Sequence, residues 1–104
     1  VNTGGEKVFV EEVEEVLRAC PGVADALVVG RPSERWGEEV VALVALRPES
    51  GTGTDDLRRA CADQLARFKV PKEFVIVEQV RRLGNGKPDY RWARATATQE
   101  ASLA

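Results

Sequence analysis

A chain of 104 residues has room for one domain and one modest core, burying roughly 65% of the surface its unfolded form exposes. Its 43% apolar and 31% charged residues are those of a globular protein, and fifteen basic against seventeen acidic side chains leave a net charge of −2. That balance excludes a general attraction to nucleic acid or to an anionic membrane, and the lack of any histidine excludes Ser-His-Asp and Cys-His chemistry.

No apolar run approaches the roughly 18 residues of a transmembrane segment, and no signal-peptide pattern is present. Cys20 and Cys61 each fall on an apolar helix face, so two reduced core thiols in a cytoplasmic protein are expected, with a disulfide as the alternative. The chain contains no methionine and opens on Val-Asn-Thr-Gly-Gly, which reads as a cut through a loop; the expectation is a C-terminal piece of a longer chain.

In chain order, a short N-terminal strand or hairpin comes first. Val10, Val13, Val16, Leu17 and Cys20 then recur at helical spacing, stopped by Pro21-Gly22. Glu11, Glu12, Glu14 and Glu15 lie between them and are expected on a solvated face, where carboxylates near a helix N-terminus also complement its dipole. "ADALVV" (24–29) and "VVALVAL" (40–46) read as buried strands, bounded by Gly30/Pro32 and by Pro48. The polar turn "GRPSERWGEE" between them carries Trp36.

After the loop "PESGTGT", Thr54 is a candidate N-cap, with Asp55 and Asp56 in the first helical turn. Leu57, Ala60, Cys61, Leu65 and Phe68 trace that helix's apolar stripe. "EFVIVEQV" (73–80) reads as a third strand. The segment "RRLGNGKPDY" (81–90) is a loop, and Pro88 suits the first position of a final helix, because its missing N–H would be unpaired there. Residues 95–104 are small and polar, expected as a frayed tail after a domain spanning 1–94. The fold class is α+β: a small mixed sheet of about three core strands, with helices largely on one side.

Lys87 follows two glycines, Gly84 and Gly86. The pattern is not a Walker A phosphate loop, which needs glycine at the position of Arg81 and Ser or Thr at the position of Pro88. A lone Gly-x-Gly is also too weak for a dinucleotide fingerprint. Two readings of Lys87 stay open on chemistry alone: a solvated lysine at a strand-to-helix turn, or a mobile cation presented to phosphate or carboxylate oxygens. Trp36 and Phe68, with Lys69 and Lys72 nearby, are either core edge or a stacking surface and cations for a nucleotide.

Four stretches in register, "NTGGEKVFVEEVEEVL", "PGVADALVVGRPSERWGEEVVALVAL", "ARFKVPKEFVIVEQV" and "GNGK", resemble the C-terminal domain of the adenylate-forming enzymes. These are the acyl-CoA synthetases, luciferases and peptide-synthetase adenylation domains. The likeness covers residues 2–94 and is greatest to fatty-acyl-CoA synthetases of the actinobacterial type. It implies a mobile lid on an N-terminal adenylation domain of the same chain. The reaction implied is ATP-dependent: a fatty or other carboxylic acid becomes an acyl-adenylate, and then CoA displaces AMP.

By the same resemblance Lys87 is the adenylation lysine, with Gly86 before it. Gly4, Gly5 and Glu6 match a turn lining the pantetheine tunnel, and Trp36, Phe68 and Lys72 match contacts to the nucleotide end of CoA. ATP with Mg2+ and CoA are cofactors of the whole enzyme, none being expected on this piece alone. Two departures are Arg81-Arg82-Leu83 where the family has Pro-Arg-Thr, and "PDYRWAR" after the lysine. Delivery to a carrier-protein thiol, or a stand-alone non-catalytic α+β binding module, are the alternative readings.

Overall fold

The computed structural model describes residues 1–103, with side chains described through Ala101. Two-residue strands β1 (Asn2–Thr3) and β2 (Glu6–Lys7) precede helix α1 (Val10–Arg18). A long ribbon follows, β3 (Val23–Ser33) and β4 (Gly37–Leu46). Helix α2 (Thr54–Gln64), a 3-10 turn (Arg67–Lys69), β5 (Glu73–Val77) and helix α3 (Tyr90–Leu103) complete the chain. The sheet is mixed: β3 and β1 pair antiparallel with β4, whereas β5 pairs parallel with it.

The near-continuous apolar runs of β3 and β4 mark strands covered on both faces. Val28, Val40, Ala42, Val44 and Phe74 meet Val13, Leu17, Leu57 and Cys61 on the α1/α2 side. Leu27, Val29, Val41, Leu43 and Val75 meet Ala93 and Ala97 on the other. Two helices therefore share one face, and α3 takes the second. The small alanines let α3 lie close against the sheet. This is why the segment from 95 onward, expected to fray, is helical to Leu103 with Ala97 fully buried; Ala104 lies outside the described residues.

Several boundaries differ from the sequence expectation for local reasons. β3 runs through Gly30 and Pro32 because it is an edge strand, where a missing N–H costs nothing. Gly53, not Thr54, is the N-cap of α2, and the Asp56 carboxylate accepts its N–H at 2.8 Å. The last helix is capped by Asp89, whose Oδ1 accepts the Trp92 N–H at 3.0 Å, so Pro88 stands one residue outside it. β5 ends at Val77, not Val80.

Glu14 departs furthest from expectation. It is 2% exposed, not on the solvated face. Its carboxylate accepts the N–H of Val28 at 2.9 Å and the Tyr90 hydroxyl at 2.9 Å. Four residues on, Arg18 donates to the Ala26 carbonyl at 2.8 Å. Together α1's polar side chains satisfy backbone groups on the free edge of β3. Burial raises the Glu14 pKa, with the Val28 and Tyr90 hydrogen bonds acting against it. Tyr90 is pushed up to about 12 by burial and by its bond to Glu14.

Candidate functional site: a lysine hairpin and a cationic aromatic pocket

The sequence-predicted residues fall into two groups. The first is the turn around Lys87. Leu83 donates its N–H to the Lys87 carbonyl, and Gly86 donates to the Leu83 carbonyl, both at 2.8 Å. Gly86 has φ +85°. That is a three-residue hairpin ending in a left-handed residue, the pattern that requires glycine there. Gly84 has no such constraint, and a Cβ built on it meets open space.

The loop is thus a defined hairpin, a more ordered element than two glycines alone suggest. Lys87 follows the turn, just before the isolated bridge of Pro88 to Arg82, exposed, its N–H donated to the Asn85 Oδ1 at 3.1 Å. Its ammonium has no hydrogen-bond or ion-pair partner among the described residues.

The second group surrounds the β1–β2 turn. Gly4 and Gly5 have φ +57° and +87° and form the two-residue loop between Thr3 and Glu6. Positive φ at both centres is the signature of a type I′ turn, which glycine meets without strain. A Cβ on Gly4 would stand 3.1 Å from the Trp36 ring, and the Gly4 N–H bonds the Trp36 carbonyl at 2.8 Å. The space vacated at Gly4 is therefore filled by the indole. Trp36 is half-buried, with the Arg35 guanidinium 4.7 Å and the Lys72 ammonium 5.2 Å from its ring.

Phe68 reaches the same place because it sits on the 3-10 turn and not on the α2 stripe, the helix having ended at Gln64. The result is a surface pocket of about 340 Å³ lined by Thr3, Gly4, Glu6, Trp36, Arg67, Phe68 and Lys72. Arg35 and Arg67 were not singled out from the sequence; the Arg-Trp dipeptide and the Arg-Phe-Lys run were the available signals. The Lys69 ammonium is paired to Glu12 at 2.8 Å and lies 5.7 Å from the centre of the Phe68 ring. A larger open cleft of about 540 Å³, beside Cys20, Gly22 and Arg47, carries none of the predicted site residues.

The two groups sit at opposite ends of β3. Arg82 of the lysine hairpin is paired to Asp25 near the start of that strand at 2.9 Å. The Trp36 N–H bonds the Ser33 hydroxyl at its end, at 3.2 Å. Eight residues of strand between Asp25 and Ser33 span about 26 Å.

A small α+β domain with two separated surface sites, one a bare cation and one a cationic aromatic pocket, is the class these features define. The chain belongs to the family of AMP-binding enzyme C-terminal domains, matched over residues 12–87. It is 50% identical over 97 residues to the medium-chain acyl-CoA ligase Mig of Mycobacterium avium, covering 93% of this chain and 18% of that protein. Its fold is similar to the Mycobacterium tuberculosis fatty acyl CoA synthetase, with TM-score 0.90 and 31% identity over 96% of this chain and 20% of the other. It is also similar to ATP-bound MatB from Rhodopseudomonas palustris, with TM-score 0.88 and 32% identity over 92% of this chain and 19% of that one. The chain thus spans about a fifth of the length of these relatives. Among the described residues, no helix is long and apolar enough to cross a membrane.

Proposed function

We propose that this chain is the C-terminal lid of an ATP-dependent, AMP-forming acyl-CoA ligase acting on a fatty acid, and that its two sites serve the two half-reactions in turn. In the first, a substrate carboxylate oxygen attacks the α-phosphorus of Mg2+-bound ATP, and the bond to pyrophosphate breaks. Charge gathers on the carboxylate and α-phosphoryl oxygens, where the Lys87 ammonium stabilises it inside the interface with the N-terminal adenylation domain.

In the second, the CoA thiol, having lost its proton, attacks the acyl carbonyl and AMP leaves. The Gly4-Gly5-Glu6 turn borders the pantetheine path. Trp36 and Phe68 stack with the nucleotide, and Lys72, with Arg67, meets its phosphates. These cations favour the phosphates of free CoA over a carrier-protein thiol. The two free cysteines suit the reducing cytoplasm.

The observation that carries this reading is the separation of the two sites along one sheet. A domain that presents Lys87 to a reaction centre must turn to present the Trp36 pocket to it. In the full-length enzyme, Lys87→Ala should slow adenylation, read as pyrophosphate exchange, by about two to three orders of magnitude, the usual loss on removing one oxyanion-type donor. Thioester formation from preformed acyl-adenylate should change far less. Equal losses in both half-reactions would overturn the assignment.

A further inference from the structure

Every residue from Arg81 to Lys87 is exposed, so burial does not hold the lysine hairpin against the domain. Leu83, its one large apolar side chain, is 48% exposed. What holds it is Arg82. The guanidinium donates from Nε to the Asp25 Oδ2 and from Nη2 to the Asp25 Oδ1, both at 3.0 Å. Its remaining nitrogen, Nη1, donates to the Gly86 carbonyl at 3.1 Å.

One side chain thus clips the backbone immediately before Lys87 and ties the hairpin to β3. Among the described residues these are the only side-chain hydrogen bonds from residues 81–87 to another part of the domain. Asp25 is itself fixed, by the Arg18 Nε at 3.2 Å and the Ala26 N–H at 2.9 Å. Although its burial acts the other way, those donors and Arg82 hold its pKa below the usual carboxylate value. It therefore remains a charged partner across the neutral range.

From this geometry we infer that Arg82, seated on Asp25, is a positioning residue for Lys87. It fixes the height and direction from which the lysine leaves the domain, without touching the reacting atoms. The inference rests on the proposed role of Lys87. The chemistry favours arginine specifically. Three donors in one plane serve a two-oxygen acceptor and a carbonyl at once, which the single ammonium of a lysine does not reproduce. A reacting group misplaced by about 1 Å can cost roughly 100-fold in rate, so a pin on an exposed hairpin has a kinetic consequence.

The test is a double-mutant cycle in the full-length enzyme, with the two half-reactions measured separately. Lys87→Ala comes first. If it leaves pyrophosphate exchange intact, Lys87 is not the adenylation lysine and the positioning role falls with it. If it slows exchange, Arg82→Ala should lower the kcat of adenylation about 10- to 100-fold with the KM for ATP within about twofold. Arg82→Ala should add nothing in the Lys87→Ala background. Arg82→Lys should recover little, and Asp25→Asn should fall between Arg82→Ala and the wild type.

Thioester formation from preformed acyl-adenylate should persist in every variant, which shows the domain folded. The role is overturned if Arg82→Ala costs as much without Lys87 as with it, or if Arg82→Lys is fully active. It is overturned too if Arg82→Ala impairs both half-reactions alike, the mark of a merely structural residue.

Discussion

Replacing Glu14 by alanine probes the joint among α1, β3 and α3. The Val28 side chain is fully buried, and its N–H has the Glu14 carboxylate as partner. Leaving a buried donor unpaired costs about 1–3 kcal/mol. The Tyr90 hydroxyl also loses its acceptor, but it is only half-buried and recovers a water, for about 0.5–1 kcal/mol. Removing a desolvated carboxylate returns a comparable amount. The net loss is about 2 kcal/mol, or about 10 °C in Tm for a domain of this size.

Urea unfolding of the chain, followed by the fluorescence of Trp36 and Trp92, measures it. Glu14→Gln keeps an acceptor for Val28 and should stay within about 1 kcal/mol of the wild type at pH 7. It also carries the pH signature. A folded-state pKa raised above the ordinary 4.5 contributes stability that is complete below that value and lost as pH rises through the folded one. The glutamine variant should therefore gain on the wild type between pH 4 and 7. Parallel stability curves for the two proteins, or an unchanged midpoint in Glu14→Ala, would refute the reasoning.

The two hairpin glycines should respond oppositely. Gly86→Ala, at φ +85°, should destabilise by about 1 kcal/mol or more and slow adenylation in the full-length enzyme, while Gly84→Ala should be silent in both assays. Gly22→Ala should cost about 1–3 kcal/mol, because its Cβ would stand 2.8 Å from the Thr52 Cβ; a wild-type midpoint would show the 50–53 loop to be easily displaced. Burial pushes the Cys61 thiol up to about 11 and raises Cys20 as well. A disulfide-exchange reagent at pH 8 should accordingly react slowly with the folded chain and promptly with both thiols in urea.

Much of the architecture was legible from periodicity. Valine-rich runs of strand length gave β3, β4 and β5, and the spacing of Val10, Val13 and Leu17 gave α1. What failed was the assumption that like residues share a fate. Glu14 lies in the same i, i+3, i+4, i+7 series as Val10, Val13 and Leu17, which places it on the apolar face; only the edge strand it serves explains a carboxylate there.

Similarly, the alanines of 93–97 look featureless until they are set against a sheet that needs a close-packed cover. Trp36, Phe68 and Lys72 were grouped from their chemistry as one of two open readings, and Gly4 and Glu6 were added by the family resemblance. Their convergence depends on the β1–β2 turn folding back against Trp36, a contact across more than thirty residues that no local pattern encodes. No local pattern marked Arg82, because its partner Asp25 is 57 positions away.

The covering of β3 by α1 has a consequence for how this protein fails. An eleven-residue, valine-rich edge is a template on which another chain can add a strand, and aggregation begins at such edges. Here Glu14 and Arg18 occupy backbone groups that an incoming strand would use. Loss of α1 from its seat, well short of global unfolding, therefore suffices to expose the template. Solubility under heat or mild denaturant should follow the docking of that single helix more closely than the stability of the whole domain.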